Sequence, residues 1–539
     1  MIIRTMLAAT AFTAPIAANA QSMPGMDMGQ HAGHAVPAPR AKPAPKAARP
    51  AAKPRTLPAP RTAPKPAASR PATGHSTKDH GQAGGSAHVS PASSADMAPA
   101  TMADAPVAST PQNHGQIDQG SMPGMDHGDV VGMDHGVMDM HGMKGMLGDY
   151  SMMRDASGTA WQPESSPMWA IMGKHGDWST MVHGFATLVY DDQGGPRGDQ
   201  KTFVASMLMG MGQRELGRGT LTLRAMGSLD PLMGKSGYPL LLATGETADG
   251  RTELVDRQHP HDAFMELSAT FSHPLGRDLS GFVYLGLPGE PALGPATYMH
   301  RFSGMANPEA PISHHWLDST HVTFGVATAG VVHKGLKIEG STFTGREPDE
   351  NRWDIERPRM DSWSVRATVN PTANLSAQVS HGFLKSPEGL HPGEDVRRTS
   401  ASITWNLPLG QDRTWQSTFA WGRNDPSGGD HQHTTDAFLL DSAVQLGRWT
   451  VFGRAENVDK DELFGDELIG DELIGDMLAG RVFNVSKLSL GGYHSVPFGP
   501  LALDLGGLVS KYDLPRDIQP RYGSDPTSFM LFTRLRITG

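Results

Sequence analysis

From about Trp178 onward the chain alternates apolar and polar residues in segments of roughly ten, and no stretch shows helical periodicity of comparable quality. Trp363, Val365, Ala367 and Val369 interleave with Ser362, Ser364, Arg366 and Thr368. Thr399, Ala401, Ile403 and Trp405 interleave with Arg398, Ser400, Ser402 and Thr404, and Leu501, Leu503 and Leu505 with Ala502, Asp504 and Gly506. The connections alternate as well. Leu216-Gly217-Arg218, His333-Lys334-Gly335, Asn370-Pro371-Thr372-Ala373-Asn374 and Gly447-Arg448 are short, whereas 230–262, 288–319, 345–360, 458–479 and 511–524 are long. Short turns at one end and long loops at the other are the layout of a transmembrane β-barrel. The pattern therefore predicts an all-β fold, an antiparallel barrel of about 16 strands (about 14–18), with both strand ends on the periplasmic side. Two soluble sandwiches would also alternate. They would not place Trp178, Tyr190, Trp405, Trp421 and Trp449 at segment ends, where an interfacial girdle needs aromatic rings. One departure from the pattern is the last segment, which finishes Leu535-Arg536-Ile537-Thr538-Gly539, without the usual terminal aromatic residue.

Composition narrows the function. The 539 residues contain no cysteine, so disulfides, thiolate metal sites and cysteine nucleophiles are excluded. A net charge of −10 gives no support for nucleic-acid binding. No segment holds eighteen uninterrupted apolar residues, as a membrane-spanning helix requires. Residues 1–20 read as a secretory signal: Arg4, then the apolar stretch from Met6 to Phe12, then Ala18-Asn19-Ala20 as a small-x-small cleavage site. The expected destination is the outer membrane of a Gram-negative cell.

The excess residues are methionine and histidine, 30 and 24 of them. They concentrate in two tracts, 21–35 and 121–153, and the hexapeptide SMPGMD opens both clusters, at Ser22 and Ser121. The first offers Met23, Met26, Met28, His31 and His34. The second offers the thioethers of Met122, Met125, Met133, Met138, Met140, Met143 and Met146 and the imidazoles of His127, His135 and His141, among Asp126, Asp134 and Asp139. Thioethers are soft donors suited to Cu(I) or Ag(I), and imidazole with carboxylate suits Cu(II) or zinc. Such repeats in a Gly/Pro-rich setting predict a low-complexity periplasmic arm, with each ion held by donors that gather on binding. Between them, 36–120 is a Pro/Ala-rich linker. From Pro37 to Ala72 it carries nine basic residues, from Arg40 to Arg70, and no acid, and is expected to extend at about 3.1 Å per residue. Residues 154–539 are assigned to the barrel.

Two further histidine segments lie where long loops re-enter strands. Asp256-Arg257-Gln258-His259-Pro260-His261-Asp262 is one and Ser313-His314-His315-Trp316-Leu317-Asp318-Ser319-Thr320-His321 the other. On this topology both occupy the outer rim, so His259, His261, His314, His315 and His321 converge with Asp262, Glu266 and Asp318. Two readings compete: a Cu(II) or Zn(II) site, or a hydrogen-bonded plug folded into the lumen with Asp256 paired to Arg257. His431 and His433 flank another strand start and are weaker candidates. The tandem DELFGDELIGDELIGDMLAG at 461–480 reads as a repeat-expansion product, with a divalent-ion site as the lesser alternative.

No nucleophile elbow, HExxH or phosphate-binding loop is present, so a non-enzymatic role is expected, with His259/Asp262 as the only general-base pair to consider. The combination of a signal peptide, Met-Asp-His-Gly units at 121–146 and a C-terminal barrel resembles the copper-resistance protein B family of the Gram-negative outer membrane. The motif-level likeness covers 121–146 and, more weakly, 22–34. The barrel half, with its DRQHPHD and SHHWLDSTH segments, looks more like uncharacterised barrels associated with copper systems. The resemblance implies copper or silver tolerance, metal capture by the Met-Asp-His units, contact with outer-membrane lipid and periplasmic copper-handling partners. The rival functions are a general solute porin whose arm buffers metal and, less favoured, an outer-membrane enzyme.

Overall fold

A computed structural model describes residues 143–429, 433–464 and 478–539. Sixteen antiparallel strands close a barrel, the first spanning Trp178–Asp192 and the last Thr527–Ile537. Closure is direct: Phe185 to Asp192 pair with Arg536 to Phe529. A seventeenth, short strand, Ile171–His175, pairs with Trp178 to Val182, on a part of the first strand that the last one leaves unpaired.

Every strand anticipated from the alternation is present. Between paired neighbours, one end of the barrel is built from two-residue turns such as Gly217-Arg218, Lys334-Gly335, Ala373-Asn374 and Gly499-Pro500. Gly217 (φ 63°) and Gly499 (φ 58°) supply the left-handed conformation that such hairpins require. The other end carries the long loops. One strand starts later than expected. The sequence pattern puts it at 320–330, whereas pairing begins at Val326, because Ser319–His321 forms a 3-10 turn of the preceding loop.

Burial runs opposite to that of a soluble protein. Along Ser362–Thr372 the apolar Trp363, Val365 and Val369 are exposed, and Ser364, Arg366 and Thr368 are buried. The same inversion holds for Leu188 against Thr187. An apolar exterior around a polar interior is what a barrel in lipid demands, since lipid has no hydrogen bonds to offer. Exposed aromatic rings sit near both ends: Trp405, Trp415 and Trp449 close to the two-residue turns, Tyr190, Trp363 and Phe529 close to the long loops. The chain is thus an outer-membrane-type barrel, and no helix among the described residues is long and apolar enough to cross a membrane.

The lumen is filled from both ends. From the two-residue-turn end, residues 143–169 run inside the wall. Arg154 donates to the Lys334 carbonyl at 3.0 Å, and Asn370 donates to the Gln162 carbonyl at 2.7 Å. Deeper in, Arg366 donates to Thr159 Oγ1 at 3.0 Å, and Gln416 reaches Ser166 Oγ at 2.8 Å. From the opposite end, the loop between Gly286 and Val326 folds inward through four short helical turns, Tyr298–His300, Phe302–Met305, His314–Leu317 and Ser319–His321. Its Arg301 binds Asp441 at 2.7 Å and Asp318 at 3.2 Å, its Ser313 donates to Glu456 at 2.7 Å, and its Trp316 donates to Thr435 at 2.9 Å. The two inserts meet inside the barrel, where Thr297 N donates to Ser157 Oγ at 2.9 Å and Trp169 packs edge-on to Phe302 at 5.6 Å.

Two expectations change here. The barrel body does not begin at 154. Met146 and Leu147 pack with Trp161, Phe282 and Val332, and Met152 and Met153 are buried, so Met143 to Met153 belongs to the inner plug. Nor does Asp256 pair with Arg257. Asp256 bonds Arg197 at 2.6 Å and Arg257 bonds Asp199 at 3.0 Å, the backbone turning at Asp256 (φ 58°) just before the short strand Arg257–Gln258. The candidate ligands from Met23 to His141, together with His431 and most of the acidic tandem repeat, lie outside the described residues.

Candidate functional site

The structure brings the two histidine segments together. The His261 and His321 rings lie 5.1 Å apart, as do His314 and His321, with His314 5.9 Å from His315 and His259 6.2 Å from His315. The short turn His314–Leu317 puts His314 and Asp318 on one face, four residues apart, with Nδ1 to Oδ1 at 2.7 Å. Several of the remaining ring nitrogens are also engaged, while Nε2 of His315 and of His321 is buried without a partner. His261 Nδ1 meets Asp230 at 2.8 Å, His259 Nε2 meets Glu246 at 3.2 Å, and His321 Nδ1 meets the Asp318 carbonyl at 2.8 Å. Of the carboxylates expected beside them, Asp318 stays with His314 and also meets Arg301, whereas Asp262 is held by Arg352 at 3.2 Å and Glu266 by Arg224 at 2.8 Å.

Burial pushes His259 down to about 3, with neighbouring His315 adding to the effect, and burial likewise lowers His315 and His321. These are neutral rings inside a hydrogen-bonded plug. Among the described residues no group of three His, Asp or Glu side chains is disposed to hold a metal ion. His433 is exposed, just before the strand that begins at Thr435.

A second arrangement was not anticipated. Where plug, wall and inward loop meet, a cavity of about 80 Å³ is lined by thioethers from all three. The plug gives Met146, Met152 and Met168, the wall gives Met181, Met209 and Met211, and the loop gives Met299 and Met305. His183 of the first strand and His300 of the loop complete it, their rings 5.7 Å apart. His300 Nε2 is buried and has no hydrogen-bond partner, and burial holds its ring neutral. Arg224 and Asp155 also reach the cavity wall. The guanidinium is tied to Glu266 and to the Gly158 carbonyl (2.5 Å), and the carboxyl accepts from Tyr150 Oη (2.6 Å) and Met146 N (2.8 Å). Met299 and Met305 also line a smaller cavity of about 30 Å³ that contains His259 and His261.

The sequence held a signal for this site. In Ser206-Met207-Leu208-Met209-Gly210-Met211, methionine occupies the alternate positions that face inward, at 1, 6 and 8% exposure, while Leu208 faces lipid at 59%. Along strands such as Ser362–Thr372 those inward positions carry Ser, Arg or Thr, while elsewhere in the wall apolar residues such as Phe452, Tyr493, Met530 and Phe532 also point inward. A run of three flexible thioethers on that face is what marks the place.

No family model matches the chain, and no curated protein matches it. Solved structures with a similar arrangement of strands include OmpT, an outer-membrane protein of Vibrio cholerae (8% identity, TM-score 0.38, covering 68% of this chain and 99% of that one). The anion-selective porin from Comamonas acidovorans gives 13% identity and a TM-score of 0.40, over 67% of this chain and all of that one. Salmonella typhi OmpF in complex with daunomycin gives 9% and 0.42, over 68% and all of that chain. At these scores the likenesses carry no functional information about this chain, whose outer-membrane character rests on its inverted burial.

Proposed function

We propose that the protein handles soft metal ions, copper or silver, at the outer membrane. Its Met/His tracts capture the ion on the periplasmic side, where copper-handling proteins are its natural donors or acceptors, and the barrel anchors them and offers a guarded way across. The observation that carries the reading is the repeated Met-Asp-His unit at 121–146, a donor set matched to Cu(I) and Cu(II). The filled lumen supports it. Barrels of sixteen strands that pass general solutes keep a water-filled channel, whereas here two inserts meet inside the wall. No catalytic step is part of this reading.

The test is removal of 121–142, leaving Met143 and Met146 in place because both pack in the plug. The variant barrel is expected to assemble as before, while the copper or silver concentration that arrests growth falls several-fold. Unchanged tolerance with a normally assembled barrel would remove the metal role.

A further inference from the structure

We infer that the cavity between plug, wall and inward loop is itself a binding site for one monovalent soft cation, Cu(I) or Ag(I). The inference rests on the metal-handling reading for its biological sense, but its physical basis is separate from the tracts that suggested that reading.

The chemistry of the lining selects the ligand class. Thioether sulfur is uncharged and polarisable, so it coordinates Cu(I) or Ag(I) well and hard or divalent ions poorly. A divalent ion entering such a site would give up a tightly held water shell for neutral sulfur. A monovalent soft ion gives up far less and gains real bonds. The imidazoles fit the same preference. The Nε2 of His300 is buried without a partner, an expense that a ligand would offset. The nearby charges leave room for a cation, because Arg224 is neutralised by Glu266 at 2.8 Å.

Apolar packing alone is a poor account of this lining. A core built only for cohesion favours Leu, Ile and Phe, whose shapes are fixed, and uses methionine sparingly. Here methionines from the plug, wall and loop, with Trp169 and Phe302 beside them, line one space of about 80 Å³, more than the roughly 10–15 Å³ that one water needs. Because the donors come from three parts of the fold that are already locked together, the site is preorganised, unlike a low-complexity tract that must order on binding. Its position matters too. Met299 and Met305 belong to this cavity and to the next, where His259 and His261 begin, so an ion held here lies on the way between the two ends of the lumen.

The experiment uses the full chain in detergent, loaded with Ag(I), washed with buffer containing excess free methionine and assayed for metal per chain. Free methionine strips ions from flexible single thioethers, and a preorganised cage resists it. Wild type is expected to retain about one Ag(I) per chain, as is a variant with the thioethers of 121–142 changed to leucine. The triple variant Met209→Leu, Met211→Leu and Met299→Leu is expected to lose that ion. Leucine is close to methionine in volume, so packing is kept while the donors go. Should the triple variant fail to show the mobility shift of a folded barrel on heating, His300→Gln supplies the test, with weaker retention expected. Zn(II) retention should be the same in wild type and in the cavity variants. Equal Ag(I) retention by wild type and cavity variants, or no methionine-resistant Ag(I) in folded wild type, overturns the inference. Retention in the cavity together with unchanged tolerance after removal of 121–142 would leave the site standing and defeat the wider function instead.

Discussion

Replacing Arg301 by alanine is expected to turn a nearly silent barrel into one that conducts ions in a planar bilayer. Arg301 lies in the inward loop at 1% exposure and joins it to the wall through Asp441 at 2.7 Å, while also holding Asp318 at 3.2 Å and the Ala296 carbonyl at 2.7 Å. Asp441 is in turn bonded to Arg454 at 2.7 Å, and Arg454 donates to the Glu309 carbonyl at 2.8 Å, so one side chain closes a network between loop and wall. Removing one partner of a buried pair costs up to about 3–5 kcal/mol when the other charge is left alone. Here Asp441 keeps Arg454 and Asp318 keeps His314, so the cost is smaller, but the loop loses its direct ion pair with the wall, and moving it out of the lumen returns Asp318 to water. Wild-type channels should show brief, small openings and the variant long, large ones. Identical conductance in the two would mean that the loop is not the gate.

Placing arginine at both Val365 and Val379 is expected to abolish assembly in the membrane. The two residues lie on neighbouring strands, 51 and 53% exposed, facing outward and within two register positions of each other. Arginine on the lipid face of a barrel costs about 2–4 kcal/mol at mid-membrane, and two nearby like charges add repulsion. Serine-to-arginine changes at Ser364 and Ser380, which face the packed lumen, would also disrupt, but by overfilling it rather than by exposure to lipid. The separating control is leucine at 365 and 379, which leaves assembly intact on this account and changes nothing else. The readout is the fraction of chain with heat-modifiable gel mobility in the membrane fraction.

The wall was legible because membrane strands write their orientation into the sequence. Each outward residue must be apolar, so Trp363-x-Val365 or Leu501-x-Leu503-x-Leu505 declares both the strand and its face. What fills the lumen was less legible. The inward loop carries apolar residues such as Tyr298, Met299, Phe302 and Trp316 without strand alternation, and its pairing of Arg301 with Asp441, 140 residues on, leaves no local trace. The five histidines were expected together and lie together, with Asp318 on His314, but Asp262 and Glu266 were drawn off by Arg352 and Arg224, and long-range pairing of that kind cannot be read from spacing. Met143 and Met146 were grouped with the Met/His tract because composition does not change there; only the contact of Met146 and Leu147 with Trp161 and Phe282 separates them. The alternating methionines at 207, 209 and 211 were visible as a strand, and their inward direction was the missed half of the message.

The central claim is that this barrel admits a soft ion and little else. It is tested most directly by placing the full chain in liposomes and following two entries side by side, that of Ag(I) by a trapped indicator and that of small sugars by swelling. The account predicts Ag(I) uptake that depends on the protein, with sugar entry no faster than in protein-free liposomes. Rapid swelling in sugars, or silver uptake no greater than in empty vesicles, would contradict it.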